Sequence, residues 1–448
     1  MCKYTRRNFL HLCCRGLFFL GLGNLVPGHL HLRAEASEVL PDGQHVPMDD
    51  LRSLAVKHLR HIVTADPTCS RTIMWQSDEL QKDARIEYRR HGMEGAGWCR
   101  ASYEYVTLAE QHFFIYTSHL ERLEPETLYD YRIVAGDAAS AWQSFRTAGY
   151  GPMRAIIVCD SQCGNDYGDW KRTIHAAASK CPQANFIADI GDLVDNGQSG
   201  WQWDGWYSGI SDLLPRYLFV PVMGNHECYD LDWKNCLPEG YLHQFCSPVN
   251  GSQKFLGYYY SFNYGPAHFL VLNTQFHELD GIRPGLLKEQ LSWMKEDLAL
   301  DKHPWRIVFM HKDILSYNEY NPYTGKDGGL NDIAHDFMGS FEELGIDLVL
   351  TGHMHTYRNR GHIYGFQSSD HGPVYVLCGL SGNARYDVPL DPEFDKVSAP
   401  QPETDNYVLL DVSPAELHLR CCLPDGTTID HMKLSKEVLS FPAHKGSL

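Results

Sequence analysis

The sequence predicts an all-β sandwich followed by an α/β layered domain. Short alternating runs recur from His61 to Thr147, as in a sandwich of short strands. Beyond Gly149, Gly151 and Pro152, continuous apolar runs begin to alternate with helical stretches, the pattern of strands buried on both faces. Several of those apolar runs are followed at once by Asp, Asn or His, which places chemistry at strand ends.

Residues 1–36 are expected to be an export signal rather than part of the fold. Arg6 and Arg7 precede an apolar run from Leu17 to Val26, and Ala34-Glu35-Ala36 supplies a small-residue cleavage site. That run makes about 15 Å of helix, too short for a bilayer core of roughly 30 Å. Thr5-Arg6-Arg7-Asn8-Phe9-Leu10 resembles a twin-arginine signal, which implies a bacterial periplasmic or extracellular destination. Residues 37–60 read as a linker. No later segment is apolar enough for a membrane anchor.

The 448 residues carry 43% hydrophobic and 21% charged side chains, ordinary for globular domains. A net charge of −17 argues against a nucleic-acid partner. Fourteen cysteines less Cys2, Cys13 and Cys14 leave an odd number, so not all can pair within one chain. Cys228, Cys236 and Cys246, close together in one loop-like stretch, are the best disulfide candidates. No CxxC pair supports a thiolate zinc site.

The sandwich, residues 61–148, takes its strands from Arg71–Trp75, Arg85–Tyr88, Tyr103–Leu108, His112–Ser118, Tyr129–Ala135 and Trp142–Arg146. It offers no convergent His, Asp or Cys, so a scaffold role is expected. The α/β domain, residues 149–435, takes strands at Ala155–Cys159, Phe186–Ile190, Tyr217–Val222, His268–Leu272, Arg306–Met310, Asp347–Leu350, Val374–Leu377 and Tyr407–Leu410. Helices are expected near Trp170–Ser179 and Leu286–Leu300. Residues 436–448 form a tail.

Asp160-Ser161-Gln162 follows the first strand, and Gly191-Asp192-Leu193-Val194-Asp195-Asn196-Gly197 the second. Gly224-Asn225-His226-Glu227, His311 and Gly352-His353-Met354-His355 follow later ones. Singly, each is an ordinary turn. Together, at the carboxyl ends of buried strands, they suit two divalent ions, because imidazole and carboxylate oxygen are ligands for Zn, Fe and Mn. Two ions a few ångströms apart can clamp a phosphoryl group. Asn165 and Asp166 are pocket candidates or alternatively a solvated turn, and Asp169 and Asp189 are equally further candidates or surface charges. Trp201, Trp203 and Trp206 are core packing, or alternatively a stacking surface for an aromatic leaving group.

This series resembles the calcineurin-like metallophosphoesterase superfamily. The Leu123-x-Pro125-x-Thr127-x-Tyr129 corner makes the sandwich similar to a fibronectin type III module. With the stretch Tyr258–Asn273, it makes residues 60–435 similar to the two-domain purple acid phosphatases. The resemblance implies a four-layer α/β/β/α catalytic domain. It implies that Asp160, Asp192 and His355 hold one metal, and that Asp192 bridges to a second on Asn225, His311 and His353. His226 would be the general acid, and a metal-held hydroxide the nucleophile, in hydrolysis of small phosphate monoesters. A phosphodiesterase or nucleotidase is the nearest alternative, set by loops 228–256 and 313–335. An exported binding or adhesion protein with a structural metal site is the alternative of another class. The chain departs from the purple enzymes at Asp195, where they carry the tyrosinate that binds ferric iron. Two divalent ions are therefore expected here, with Gln162 and Asp195 as possible further ligands or pocket residues.

Overall fold

The computed structural model describes Leu51, residues 54–400 and residues 404–437. The expected export signal, most of the linker and most of the tail lie outside the described residues. The linker ends earlier than expected, because its last residues already form the strand Lys57–Ile62.

In the sandwich, one sheet contains Lys57–Ile62, Ser70–Ser77, Gln111–Glu121 and Ser102–Leu108. The facing sheet contains Gly97–Arg100, Arg85–Arg90 and Leu128–Ala135, with Gln143–Arg146 paired to the last of these. Ile73, Trp75 and Tyr116 from one sheet pack with Ile86, Tyr131, Ile133 and Phe145 from the other. The corner expected at Tyr129 is present: the Glu124 amide donates to its hydroxyl at 2.9 Å.

The sandwich is not a bead on a string. Its strand Lys57–Ile62 pairs in parallel with Leu218–Pro221 of the α/β domain, so a single ten-stranded sheet runs through both. Strand alternation then gives that sheet two buried faces. Trp75 and Tyr116 face the sandwich core, while Met74, Val106, Phe113 and Ile115 join the main core beside Trp203 and Phe245.

In the α/β domain, Met153–Val158, Phe186–Asp189 and Leu218–Pro221 lie parallel and adjacent. A second sheet orders Tyr260–Tyr264, Ala267–Val271, Trp305–Phe309, Leu348–Thr351, Val374–Cys378 and Tyr357–Tyr364. Ala155, Ile157 and Ala188 meet Phe269, Ile307, Phe309 and Leu350 between the sheets. The intervening Ile156, Ile187, Val308 and Val349 face outward, in a core shared with Ile174, Met294 and Phe337 of the helices Gly168–Lys180, Leu286–Leu298 and Asp332–Glu343. The result is the expected α/β/β/α stack.

Some elements were not expected from the sequence. Trp203 and Trp206 lie on the helix Gly200–Ile210, and the hairpin Leu315–Asn321 and Lys326–Leu330 occupies a stretch read as loop. None of the described cysteines is disulfide-bonded, Cys228, Cys236 and Cys246 included.

Candidate metal centre

The strand ends of both sheets deliver their polar residues to one place. Asp160 follows Met153–Val158, Asp192 follows Phe186–Asp189, and Asn225 with His226 follows Leu218–Pro221. His311 follows Trp305–Phe309, and His353 with His355 follows Leu348–Thr351. Ligand atoms of Asp160, Asp192 and His355 lie within 4.8 Å of one another, as do those of Asp192, His311 and His353. Asp192 belongs to both groups.

Individual contacts aim these side chains. The His311 ring engages the Ile190 carbonyl through Nδ1 at 2.8 Å, which turns Nε2 to Asp192 Oδ2 at 3.0 Å and Asn225 Oδ1 at 3.1 Å. His355 sits against the Ala384 carbonyl through Nδ1 at 3.0 Å and faces Asp160 Oδ1 through Nε2 at 3.4 Å. Such outer partners fix a ligand histidine's tautomer. The His353 amide donates to both Asp160 oxygens, at 3.0 and 2.9 Å.

Convergence this tight strains the backbone. Asp160, Asp192, His353 and His355 all have left-handed φ, at 50°, 53°, 79° and 51°. Non-glycine residues seldom adopt that region, and such strain concentrates at functional sites. Gly224 shows the same crowding, since a Cβ there would stand 2.0 Å from Asp192 Oδ1. Gly191, at φ 90°, would bring a Cβ within 2.6 Å of His311 Nδ1.

The electrostatics are those of a cation site. Burial pushes the Asp160 pKa up despite the opposing His355 and His311. Asp192 titrates well below its usual range: burial opposes this, but His311 and His226 outweigh it. His353 is lowered to about 3 by burial and by His311, so its imidazole is neutral. His311 is instead raised to about 9: burial opposes this, but Asp192 and Asp160 outweigh it, so a cation bound there would take the place of its proton.

His226 stands apart from these ligands. Its backbone amide donates to Asp192 Oδ1 at 3.0 Å, and its ring meets the Asp195 carbonyl through Nδ1 at 2.7 Å. With Nδ1 occupied, Nε2 is left 3.8 Å from Asp192 Oδ2. Burial works against charge on this ring, but Asp192 prevails and raises its pKa.

The remaining candidates separate clearly. Gln162 is buried; oriented for best hydrogen bonding, its amide nitrogen donates to the Asp192 carbonyl at 2.8 Å and its oxygen faces His355 Nε2 at 3.3 Å. It braces the first two loops against each other. Asp195 belongs to neither ligand group; its carbonyl holds His226, and its carboxylate lies beside Gly164. Asn165 lies in an exposed turn, and Asp166 accepts from the Gly168 amide. Trp203 and Trp206 are core residues: Trp203 donates to the Gly197 carbonyl and Trp206 to Ser161 Oγ, steadying the first two motif loops, whereas Trp201 is exposed.

Two acidic residues take places that the sequence leaves open. Asp189, for which a surface position was one of two open readings, is fully buried and accepts from Ser161 Oγ at 2.6 Å. Its place at the end of a continuous apolar strand was the available signal. Glu227, seen only as the tail of a motif, accepts from the amides of Asp192, Leu193 and Gly224 at 3.1, 2.9 and 2.7 Å. One buried carboxylate thus binds the second and third loops together. No spacing rule marks that role, because it depends on two loops meeting.

A third His/Asp group, His268, Asp301 and His303, lies elsewhere, near the beginnings of strands in the second sheet. Arg306 already pairs with Asp301 there, and His268 with Asp297.

The two halves match different family models. Residues 153–357 match the calcineurin-like phosphoesterase family, and residues 56–147 match the purple acid phosphatase N-terminal domain. The chain therefore carries a calcineurin-like phosphoesterase domain behind a purple acid phosphatase N-terminal domain. Purple acid phosphatase 15 of Arabidopsis thaliana is 29% identical over 206 residues, 45% of this chain and 36% of that one. A phosphoenolpyruvate phosphatase of Allium cepa is 26% identical over 291 residues, 60% of this chain and 58% of its own. The chain spans about half the length of the curated relatives it matches. Among solved structures, a purple acid phosphatase from yellow lupin seeds (Lupinus luteus) has the same fold. Its TM-score is 0.69 at 18% identity, covering 85% of this chain and 74% of the lupin chain.

In the phosphoesterase domain, the donor set fits a binuclear centre: nitrogen and oxygen ligands only, in two groups that share one carboxylate. The described residues include no helix long and apolar enough to cross a membrane.

Proposed function

We propose that this protein hydrolyses phosphate monoesters at two divalent ions, Fe, Mn or Zn. One would be held by Asp160, Asp192 and His355, the other by Asp192, Asn225, His311 and His353. The observation that carries the reading is the pair of ligand groups joined at Asp192, with His226 Nε2 3.8 Å from the shared carboxylate. When bound, such ions polarise phosphoryl oxygens and make a water nucleophilic near neutral pH.

The chain's own residues supply positioning and a proton. The His226 Nδ1 contact to the Asp195 carbonyl fixes the ring, and although burial opposes charge there, the Asp192 carboxylate favours its protonated form. As water adds to phosphorus and the ester P–O bond breaks, that proton passes to the leaving oxygen. A general acid beside an open ligand cluster distinguishes this site from a purely structural metal site. With Asp195 at the position of the purple enzymes' tyrosine, the chain supplies no tyrosinate there, which favours two divalent ions.

We also propose export by the twin-arginine route, on the strength of Arg6, Arg7 and the apolar run to Val26.

The test is hydrolysis of p-nitrophenyl phosphate and bis-p-nitrophenyl phosphate by metal-stripped protein, with Mn, Zn or Fe restored in turn. Metal-dependent monoester turnover, lost in Asn225→Ala, is the expected result. A preference for the diester would replace the monoesterase reading with a phosphodiesterase. His226→Ala should cost about 10²–10⁴-fold, more for phenyl than for p-nitrophenyl phosphate, because the poorer leaving group needs the proton more. Failure to bind metal would overturn the reading.

A further inference from the structure

The loop after His226 carries an exposed tryptophan in a conformation that tryptophan seldom adopts. Trp233 is 58% exposed and has φ 62°, in the left-handed region. A large ring gains nothing from solvent there, and the backbone conformation is itself unfavourable for a non-glycine residue. The loop is nonetheless built to hold it. Tyr229 and Asn235 form a β-bridge, the Trp233 amide donates to the Asp230 carbonyl at 2.9 Å, and Asp230 Oδ1 accepts from the Asp232 and Lys234 amides.

This brings the ring to the proton donor. Trp233 meets the His226 ring edge-on, with centroids 5.7 Å apart and planes at 89°. Tyr229 meets the same ring at 5.8 Å and lies 6.1 Å from Trp233. Tyr386, 45% exposed, stacks on His355 at 4.2 Å. Aromatic side chains therefore rim the site, and the best exposed of them touches the residue that must contact the leaving oxygen.

We propose that Trp233, with Tyr229, forms a leaving-group subsite selective for phosphate monoesters whose alcohol carries a planar aromatic ring. This rests on the monoesterase reading and His226 as general acid. If the proton goes from His226 Nε2 to the ester oxygen, the group attached to that oxygen lies against whatever flanks His226. Stacked or edge-on ring pairs add attraction beyond simple burial. From the sequence, such a role is the alternative to core packing for Trp201, Trp203 and Trp206, and Trp203 and Trp206 are core.

The test compares kcat/KM on phenyl phosphate, a nucleoside 5′-monophosphate and glycerol phosphate, for wild type, Trp233→Ala, Trp233→Gly and Trp233→Phe. Trp233→Ala should lose about tenfold more on a ring-bearing ester than on glycerol phosphate, and Trp233→Phe should keep most of the preference. Loss on phenyl phosphate places the ring directly on the ester oxygen. Loss confined to the nucleotide places it one sugar away. Trp233→Gly relaxes the backbone, so the same loss there assigns the effect to the ring. Equal losses on all three esters, or a preference retained in Trp233→Gly, would overturn the subsite while leaving the monoesterase reading intact. Absence of metal-dependent hydrolysis of every ester by wild type would overturn both.

Discussion

One hydrogen-bonded sheet runs through the sandwich and the catalytic domain, yet its two ends use side chains in opposite ways. In the sandwich, polar groups are satisfied in pairs and short chains. His61 Nε2 lies 2.9 Å from the Tyr131 hydroxyl, which donates to Gln143 Oε1, and Arg132 grips Glu87. At the strand ends of the catalytic domain, Asp160, Asp192, Asp189 and Glu227 are all buried within reach of one another's charge. Burying like charges together costs free energy that protonation or a bound cation must offset, and burial raises the pKa of Asp160, Asp189 and Glu227 accordingly. The lesson is that strain and charge crowding, not the sheet itself, mark the chemistry.

The sharpest way to break this contrast is Gly224→Ala. A methyl group 2.0 Å from Asp192 Oδ1 must displace the shared ligand, so turnover and bound metal should both fall, turnover by at least about 100-fold. Metal analysis of the purified variant checks it; full occupancy would mean the loops are less tightly packed than described. Next comes Glu227→Ala, which leaves the buried amides of Asp192, Leu193 and Gly224 without their acceptor. A cost of about 3 kcal/mol in denaturant unfolding is expected, with weakened metal binding.

A smaller effect tests the sandwich side. Burial holds the His61 pKa well below 6.5, with Arg71 adding to the shift. The unfolded chain therefore takes up a proton that the folded one refuses. Stability contributed by neutral His61 is full above about pH 6.5 and falls at up to about 1.4 kcal/mol per pH unit below it. His61→Gln should flatten that slope in urea unfolding between pH 7 and pH 5. Smallest of all, Tyr129→Phe removes the bond from the Glu124 amide and should cost about 1 kcal/mol without changing kcat/KM. A large activity loss there would show that the sandwich does more than support the domain it is joined to.

Much of this was legible in the chain alone. Continuous apolar runs such as Ala155–Val158 and Val308–Phe309 identify strands buried on both faces, because periodicity and side-chain type are local properties. Asp192, His311, His353 and the other ligand candidates were found because each directly follows such a run. Asp189 stays open in the sequence for the complementary reason: acidic residues are usually exposed, and only the folded sheet shows that this one is not.

The sequence by itself determined the order of the principal strands, the sandwich-then-α/β organisation and which residues could bind metal. The tertiary structure decided what depends on distant segments meeting. It joined Lys57–Ile62 to Leu218–Pro221, made Glu227 the clasp of two loops, put Trp203 and Trp206 in the core, and set Trp233 against His226. Hydrophobic pattern is written along the chain, whereas hydrogen-bond partners and ring contacts are chosen only when the chain closes on itself.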